Sequence, residues 1–251
     1  MTEGEETSTT GTLASAMLAA DNVVILTGLR MGWEPSEDEE WLRKEWRVKA
    51  TLDAFLTEPA AFWEFYFPVA KRIYERDVHP AHVAVARLQK AGIVTSVITQ
   101  AVDHLHARAG AADVVEVYSN MRTVRCARCS EVYGLPEVGP LIEASDDGVP
   151  RCASCEYPLR PGGTLWGEPL PQDQVERAWE LATAADAFFA LDSDLRTAPI
   201  SLLPSVPLTR QVPLYIVGRE PTQYDRYAEL VVREPAHTVL GELAELLTPR
   251  A

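Results

Sequence analysis

The chain has 251 residues, of which 23 are basic and 37 are acidic, and its formal net charge is −14. This length fits one large domain or one domain with an insert, and 47% hydrophobic residues suffice for a sizeable core. The acidic balance argues against nucleic-acid binding, because no basic cluster is visible in the sequence. No apolar run approaches the ~18 residues that a membrane-spanning helix needs.

The first residues, MTEGEETSTTGT, are polar and acidic. They contain neither the basic segment nor the apolar segment of a secretory signal. We therefore expect residues 1–20 to form a disordered tail, and we expect the protein to be cytoplasmic.

Four short runs rich in β-branched and aromatic residues predict buried parallel strands. They are residues 22–27, 93–99, 187–191 and 213–217. Apolar residues at helical spacing predict helices at 82–90, 174–185 and 239–247. This alternation predicts an α/β fold with a Rossmann-like, mostly parallel sheet and helices on both faces. In such sheets ligands bind beyond the carboxyl ends of the strands, so the residues after each strand are functional candidates.

Two segments interrupt the alternation. Residues 32–50 are charged and helix-prone, whereas residues 124–161 hold all four cysteines and have few regular elements. We expect both to form a small zinc-ribbon module. We then expect the Rossmann-like large domain to comprise residues 21–123, without the 32–50 insert, and residues 162–251.

The cysteines form two C-x2-C pairs, Cys126 with Cys129 and Cys152 with Cys155. Each pair directs two thiolates at one point, and two pairs make the tetrahedral sulfur shell that zinc prefers. Four protein ligands leave no position for water or substrate, so we predict a structural zinc site. Two disulfides are the alternative, which the lack of a secretory signal disfavours.

Several segments, in the same order, resemble the sirtuins, the family of NAD-dependent protein deacylases. VVILTG at 23–28 is similar to the family's first strand and glycine turn, and ITQAVDHLHARAG at 98–110 resembles its ITQNIDGLHQRAG. LRPGGTLWGEPLP at 159–171 resembles LRPDVVWFGEPLP, and shorter matches occur at 79–88 and 219–222. The resemblance covers the chain beyond the N-terminal tail. It implies a Rossmann-type domain, a small zinc domain and a ligand cleft between them.

The resemblance also implies residue roles. The positions that match the family's cofactor site are Gly28, Gln100, Asp103 and Ser193. Asp103 could instead simply cap the helix that follows it. The family's FGE segment pairs with an acyl-lysine peptide by strand addition, and its counterpart here is Trp166, Gly167 and Glu168. The implied partner is therefore an acyl-lysine peptide or protein.

Other positions depart from the family pattern. The family's glycine-serine loop and its arginine have no equivalents after Gly28. The acidic residues at 37–40 would repel the pyrophosphate of a bound nucleotide. Alternatively, they form the solvated start of a helix. Ala101 replaces an asparagine, and Asp192 and Asp194 replace small polar residues. These two acids would oppose a phosphate or bind a cation, although turn formation and helix capping explain them more simply. We therefore expect NAD to bind weakly or not at all.

The histidine base of the family corresponds to Tyr118 in this chain. A phenol with a pKa of about 10 is a poor base at pH 7. His104, which replaces a glycine, is the better substitute, whereas His106 matches an ordinary histidine of the family's helix. These losses favour a pseudoenzyme or a repurposed sirtuin. The alternative is a functional NAD-dependent protein-lysine deacylase with an atypical active site.

Overall fold

The computed structural model describes residues 9–29, 31, 32 and 44–249. Its strands are β1 (Val23–Thr27), β2 (Ser96–Thr99), β3 (Val114–Glu116), β4 (Thr123–Cys126), β5 (Val132–Gly134), β6 (Leu159–Pro161), β7 (Ala187–Leu191), β8 (Leu214–Val217) and β9 (Leu230–Val232). Six of them form one sheet in the order β3-β2-β1-β7-β8-β9, and every neighbouring pair is parallel. The predicted α/β class with a mostly parallel sheet is therefore confirmed.

The described helices cover the sheet and the small module. They are α1 (Thr9–Ala19), α2 (Lys44–Lys49), α3 (Leu52–Thr57), α4 (Pro59–Tyr74), α5 (Pro80–Lys90), α6 (Leu105–Arg108), α7 (Leu135–Glu143), α8 (Gln172–Ala184), α9 (Ser205–Thr209) and α10 (Ala236–Leu247). None of these described helices has both the length and the apolar character that crossing a membrane would require.

The central strands are apolar throughout because helices cover both faces of the sheet. In β1, Val23 and Ile25 join a core formed with α1, α5 and α10, whereas Val24 and Leu26 join a second core formed with α8. All five residues of β1 are buried. A strand buried on both faces has no polar alternation, which explains why these strands were recognisable as continuous apolar runs.

The expectation of a disordered tail over residues 1–20 is wrong for Thr9–Ala19, which forms α1. Leu13, Ala14 and Met17 lie on one face of this helix and are buried in the same core as α10. Their spacing is helical, and burial of this apolar face stabilises a helix whose other positions are mostly polar or small.

The small module contains a three-stranded antiparallel sheet in the order β5-β4-β6. Its core extends beyond the cysteine segment, because Phe62 and Trp63 of α4 and Trp46 of α2 pack with Val124 and Tyr133. Helix α2, in the described part of the predicted 32–50 insert, packs with this module. Helices α3 and α4, which we assigned to the large domain, pack with the small module as well.

Candidate functional site

A cavity of about 490 Å³ opens between the carboxyl edge of the parallel sheet and the small module. Gln100 lines it from the end of β2, and Asp192 and Asp194 line it from the loop after β7. Trp46 and Tyr66 line it from the small module. The remaining described lining residues are Leu29, Arg47, Ala50, Val102, Tyr118, Met121, Gly163, Thr164, Leu165, Trp166, Gly167, Glu168, Pro169, Leu170, Thr197, Ala198 and Pro199.

Gln100 connects two of the predicted site residues. The Ser193 hydroxyl donates a 2.7 Å hydrogen bond to Oε1 of Gln100, and Nε2 of Gln100 donates to the Tyr118 hydroxyl over a long 3.5 Å. Gln100 and Ser193 are both buried. The structure therefore brings Ser193 to Gln100 and Tyr118, although Ser193 lies 93 positions from Gln100 in the sequence.

Tyr118 is poorly suited to accept a proton at neutral pH. Burial raises the pKa of its hydroxyl above the ordinary value, and the negative charge of Asp194 raises this pKa further. The contact from Gln100 acts in the opposite direction, but burial is the largest cause. At neutral pH the Tyr118 hydroxyl is consequently protonated.

His104, the predicted substitute base, lies apart from the described lining of the cavity. Its Nδ1 lies 2.8 Å from Oε1 of Glu116. The hydrogen bond with Glu116 is the largest cause of a raised pKa at His104. His104 also has a left-handed backbone, with φ of 63° and ψ of 19°. A glycine adopts this conformation without strain, which accounts for the glycine that the family has at this position.

His106 is a buried histidine, and it has a partner that the sequence did not reveal. Its Nε2 lies 3.0 Å from Oγ1 of Thr27, at the end of β1. The ring of His82 packs against it with centroids 4.8 Å apart, and both rings are almost completely buried. Burial is the largest cause of the lowered pKa of both residues, to about 4 for His82. Both histidines are therefore neutral at pH 7.

Gly28 lies where two strand ends approach each other closely. Its N–H donates to the carbonyl oxygen of Leu191, and a Cβ atom added to Gly28 would come within 1.8 Å of the Asp192 carbonyl oxygen. Only glycine fits this contact. Asp192 is also engaged, because its Oδ2 accepts a 3.1 Å hydrogen bond from the N–H of Ala236 at the start of α10.

Asp103 is buried beside the cavity but does not line it. Its Oδ1 accepts a 3.0 Å hydrogen bond from the N–H of Leu105, the first residue of α6. Gly28 and Ser193 are likewise absent from the described lining residues, which leaves Gln100 as the only predicted cofactor residue among them. The acidic run at 37–40 lies outside the described residues.

All three residues of the predicted peptide segment line the cavity. Trp166 is 41% exposed, and its backbone pairs with the neighbouring segment, since it donates to the Ala50 carbonyl and accepts from Leu52 N–H. Glu168 binds Arg160 at 2.7 Å and also accepts from the N–H of Leu165. The Glu168 carboxylate therefore holds the turn between Leu165 and Glu168. Gly167, within this turn, has a φ of 83°, and no atom beyond its chain neighbours lies within 4 Å of where its Cβ would be.

The four cysteines form a compact cluster in the small module. Their sulfur atoms lie within 4.8 Å of one another, and all four are free of disulfide bonds. The distances from Cys126 to Cys155 and from Cys129 to Cys152 are 3.4 and 3.6 Å. Tetrahedral zinc with bonds of about 2.3 Å separates its sulfur ligands by roughly 3.8 Å. The cluster thus fits one zinc ion, with all four positions taken by protein ligands.

The comparisons with known proteins agree with this architecture. The model of the Sir2 family matches residues 37–199. The "NAD-dependent protein deacylase 2" of Archaeoglobus fulgidus is 33% identical over 240 residues, which cover 92% of this chain and 93% of that protein. A structure of Sir2 bound to an acetylated peptide has a TM-score of 0.86 at 28% identity, covering 94% of this chain and 97% of that one.

A second solved structure is also similar to this chain. It contains a histidine-to-tyrosine variant of Sir2 with a p53 peptide and NAD. This protein is 28% identical to the chain, with a TM-score of 0.80 and coverage of 94% of this chain and 97% of that one. The match to the family model, the identity to the Archaeoglobus protein and the shared fold lead to one conclusion: the chain belongs to the Sir2 family, the sirtuins.

Proposed function

We propose that this protein binds acyl-lysine peptides in the cavity and catalyses NAD-dependent deacylation very slowly or not at all. The observation that carries the proposal is Tyr118, a protonated hydroxyl at the position of the family's histidine base. Among the described residues that line the cavity there is no histidine. A general base typically contributes about 10²–10⁴-fold to a rate.

The walls of the cavity support binding of an acylated side chain. Leu29, Val102, Met121 and Leu165 are apolar and suit the aliphatic stem of lysine and its acyl group. Gly167 lies at the rim and borders open space. A peptide backbone can approach such a glycine closely, as in recognition by strand addition. Sir2 has been solved with an acetylated peptide, which is consistent with this proposal.

Charge argues for weak NAD binding. Asp192 and Asp194 line the cavity after β7, where a Rossmann fold would place a nucleotide. Two carboxylates close to a pyrophosphate oppose its binding, since like charges repel more strongly in a partly buried site. NAD affinity is therefore expected to be low, even though Gln100 and Ser193 remain.

A second candidate function is active NAD-dependent protein-lysine deacylation. The Archaeoglobus relative is named a deacylase and aligns over nearly the whole chain. The histidine-to-tyrosine variant of Sir2 was solved with both peptide and NAD. In that protein, such a replacement is compatible with binding of both molecules.

One experiment separates the two candidates. Titration calorimetry would measure binding of matched acetylated and unmodified lysine peptides, and mass spectrometry would follow peptide deacetylation with NAD. The proposal expects tighter binding of the acetylated peptide and a rate at least about 10²-fold below that of the Archaeoglobus protein. A comparable rate would establish the second candidate, and absence of peptide binding would refute peptide recognition.

A further inference from the structure

The hydrogen bonds around Gln100 have a fixed direction. The backbone N–H of Leu195 donates to Oγ of Ser193 at 3.3 Å, so the Ser193 hydroxyl oxygen already acts as an acceptor. The proton of this hydroxyl is donated to Oε1 of Gln100, at 2.7 Å. With Oε1 of Gln100 facing Ser193, the NH₂ group of Gln100 faces Tyr118 and donates to its hydroxyl oxygen.

This direction leaves the proton of Tyr118 facing the cavity. The hydroxyl oxygen of Tyr118 accepts from Gln100 Nε2, and a phenol has one proton to donate. No described residue accepts that proton, and Tyr118 itself lines the cavity. Burial keeps the hydroxyl protonated at neutral pH by raising its pKa. Tyr118 is thus equipped as a hydrogen-bond donor.

We propose that the Tyr118 hydroxyl donates a hydrogen bond to the acyl carbonyl oxygen of the bound lysine, and thereby selects acylated over unmodified lysine. The inference rests on the proposed function and specifies how the cavity recognises its ligand. An amide carbonyl accepts hydrogen bonds, whereas a lysine ammonium has only donors and offers nothing to the Tyr118 proton. The apolar residues nearby, Leu29 and Met121, suit an acyl amide better than a charged ammonium.

Three carboxylates line the cavity and could favour an unmodified lysine instead. Glu168 is already ion-paired, and Oδ2 of Asp192 accepts from the N–H of Ala236. The third is Asp194. Its Oδ1 accepts a 3.1 Å hydrogen bond from the N–H of Arg196, which holds the carboxylate in the turn after β7. The carboxylate is therefore partly engaged by its own loop. Recognition by the Tyr118 hydroxyl predicts a preference for acetylated lysine, whereas recognition by a carboxylate predicts a preference for unmodified lysine. Binding measurements with the two peptides distinguish these outcomes.

The test compares Tyr118→Phe with the natural chain in calorimetry without nucleotide. Loss of one neutral hydrogen bond should weaken binding of the acetylated peptide by about threefold to tenfold, while binding of the unmodified peptide stays unchanged. Tyr227→Phe is the matched control, because Tyr227 is exposed and lies outside the cavity. It makes the same chemical change and should leave both affinities unaltered.

A thioacetyl-lysine peptide provides a second measurement that needs no protein variant, because sulfur is the weaker acceptor. The natural chain should bind this peptide less tightly than the acetyl peptide, and Tyr118→Phe should bind the two equally. If Tyr118→Phe loses the same affinity for the acetylated and the unmodified peptide, the inference is overturned while peptide binding stands. The same holds if this variant loses affinity only for NAD, measured in a separate titration. If the natural chain binds no acetylated peptide at all, the proposed function fails together with it.

Discussion

Nδ1 of His104 lies 2.8 Å from Oε1 of Glu116, and His104 makes this contact from a left-handed backbone conformation. The two features have opposite effects on stability. The charged hydrogen bond stabilises the fold when His104 is protonated, whereas a non-glycine residue with positive φ costs roughly 1–2 kcal/mol. Because His104 is partly exposed, solvent screening reduces the value of the pair.

We predict that His104→Gly has an effect that depends on pH. The pKa of His104 is raised in the folded protein, so its contribution is complete below the unfolded value of about 6.5 and disappears as pH rises through the folded value. At high pH, relief of strain should leave His104→Gly as stable as the natural chain or up to about 1 kcal/mol more stable. At low pH its relative stability should fall.

Urea unfolding of both proteins across this pH range would measure the difference. His104→Gln is the matched control, since it removes the charge and keeps the strained backbone. It should lose stability at low pH without any gain at high pH. A constant difference between His104→Gly and the natural chain at all pH values would contradict the assigned role of Glu116.

His82 and His106 predict acid sensitivity. Burial lowers the pKa of His82 to about 4, with further lowering by nearby positive charge from His79 and Arg76, and burial also lowers the pKa of His106. Unfolded histidines titrate near about 6.5, so the unfolded chain binds more protons between about pH 6.5 and pH 4. The free energy of unfolding should therefore decrease as pH falls, by up to about 1.4 kcal/mol per pH unit for each proton.

His82→Phe should make this decrease shallower, because it removes one group that must bind a proton on unfolding. Unfolding by denaturant between about pH 7 and pH 4.5 would measure the slope. Val83→Ala, which changes an exposed neighbour on the same helix, should keep the slope of the natural chain. An unchanged slope in His82→Phe would mean that His82 is not the group responsible.

Zinc removal should destabilise the small module. Closed thiolate sites contribute folding free energy directly, because the unfolded chain has no preformed site. We predict one zinc ion per chain, and a lower zinc content and melting temperature in Cys129→Ser. Ala127→Ser places a serine in the same exposed knuckle without removing a ligand and should retain zinc. Well under one zinc per chain in fresh, reduced natural protein would count against the site.

Much of the fold could be predicted from local patterns. The apolar runs of β1 and β7 were recognisable because helices cover both of their faces, and the two cysteine pairs carry their ligand geometry in their spacing. Helix α1 was missed because most of its residues are small or polar. Its burial depends on packing against α10, which the local sequence does not reveal.

The interior of the site could be predicted less well. The bond between Ser193 and Gln100 joins residues 93 positions apart, so it exists only once the strand ends are assembled. The packing of His82 against His106 likewise joins α5 to α6. The sequence identified Tyr118 as a substitution, but the direction of its hydrogen bonds required the neighbouring side chains.

The most direct test of the proposed function is the rate of peptide deacetylation by the natural chain and by Tyr118→His. If the base were the only defect, this single replacement should raise the rate by about 10²–10⁴-fold. We predict that it does not, because Asp192 and Asp194 still oppose the cofactor and Ala101 still replaces the family's asparagine. Contributions within one catalytic unit are strongly non-additive, so restoring one member returns little.

The measurement is the rate of acetyl-peptide turnover with NAD for both proteins, alongside the Archaeoglobus relative as the active reference. We predict that the natural chain and Tyr118→His both stay at least about 10²-fold below that reference. Clear turnover by the natural chain would refute the proposed function and establish an active deacylase. Turnover that appears only in Tyr118→His would show that the cofactor site is intact and that the base alone was lost.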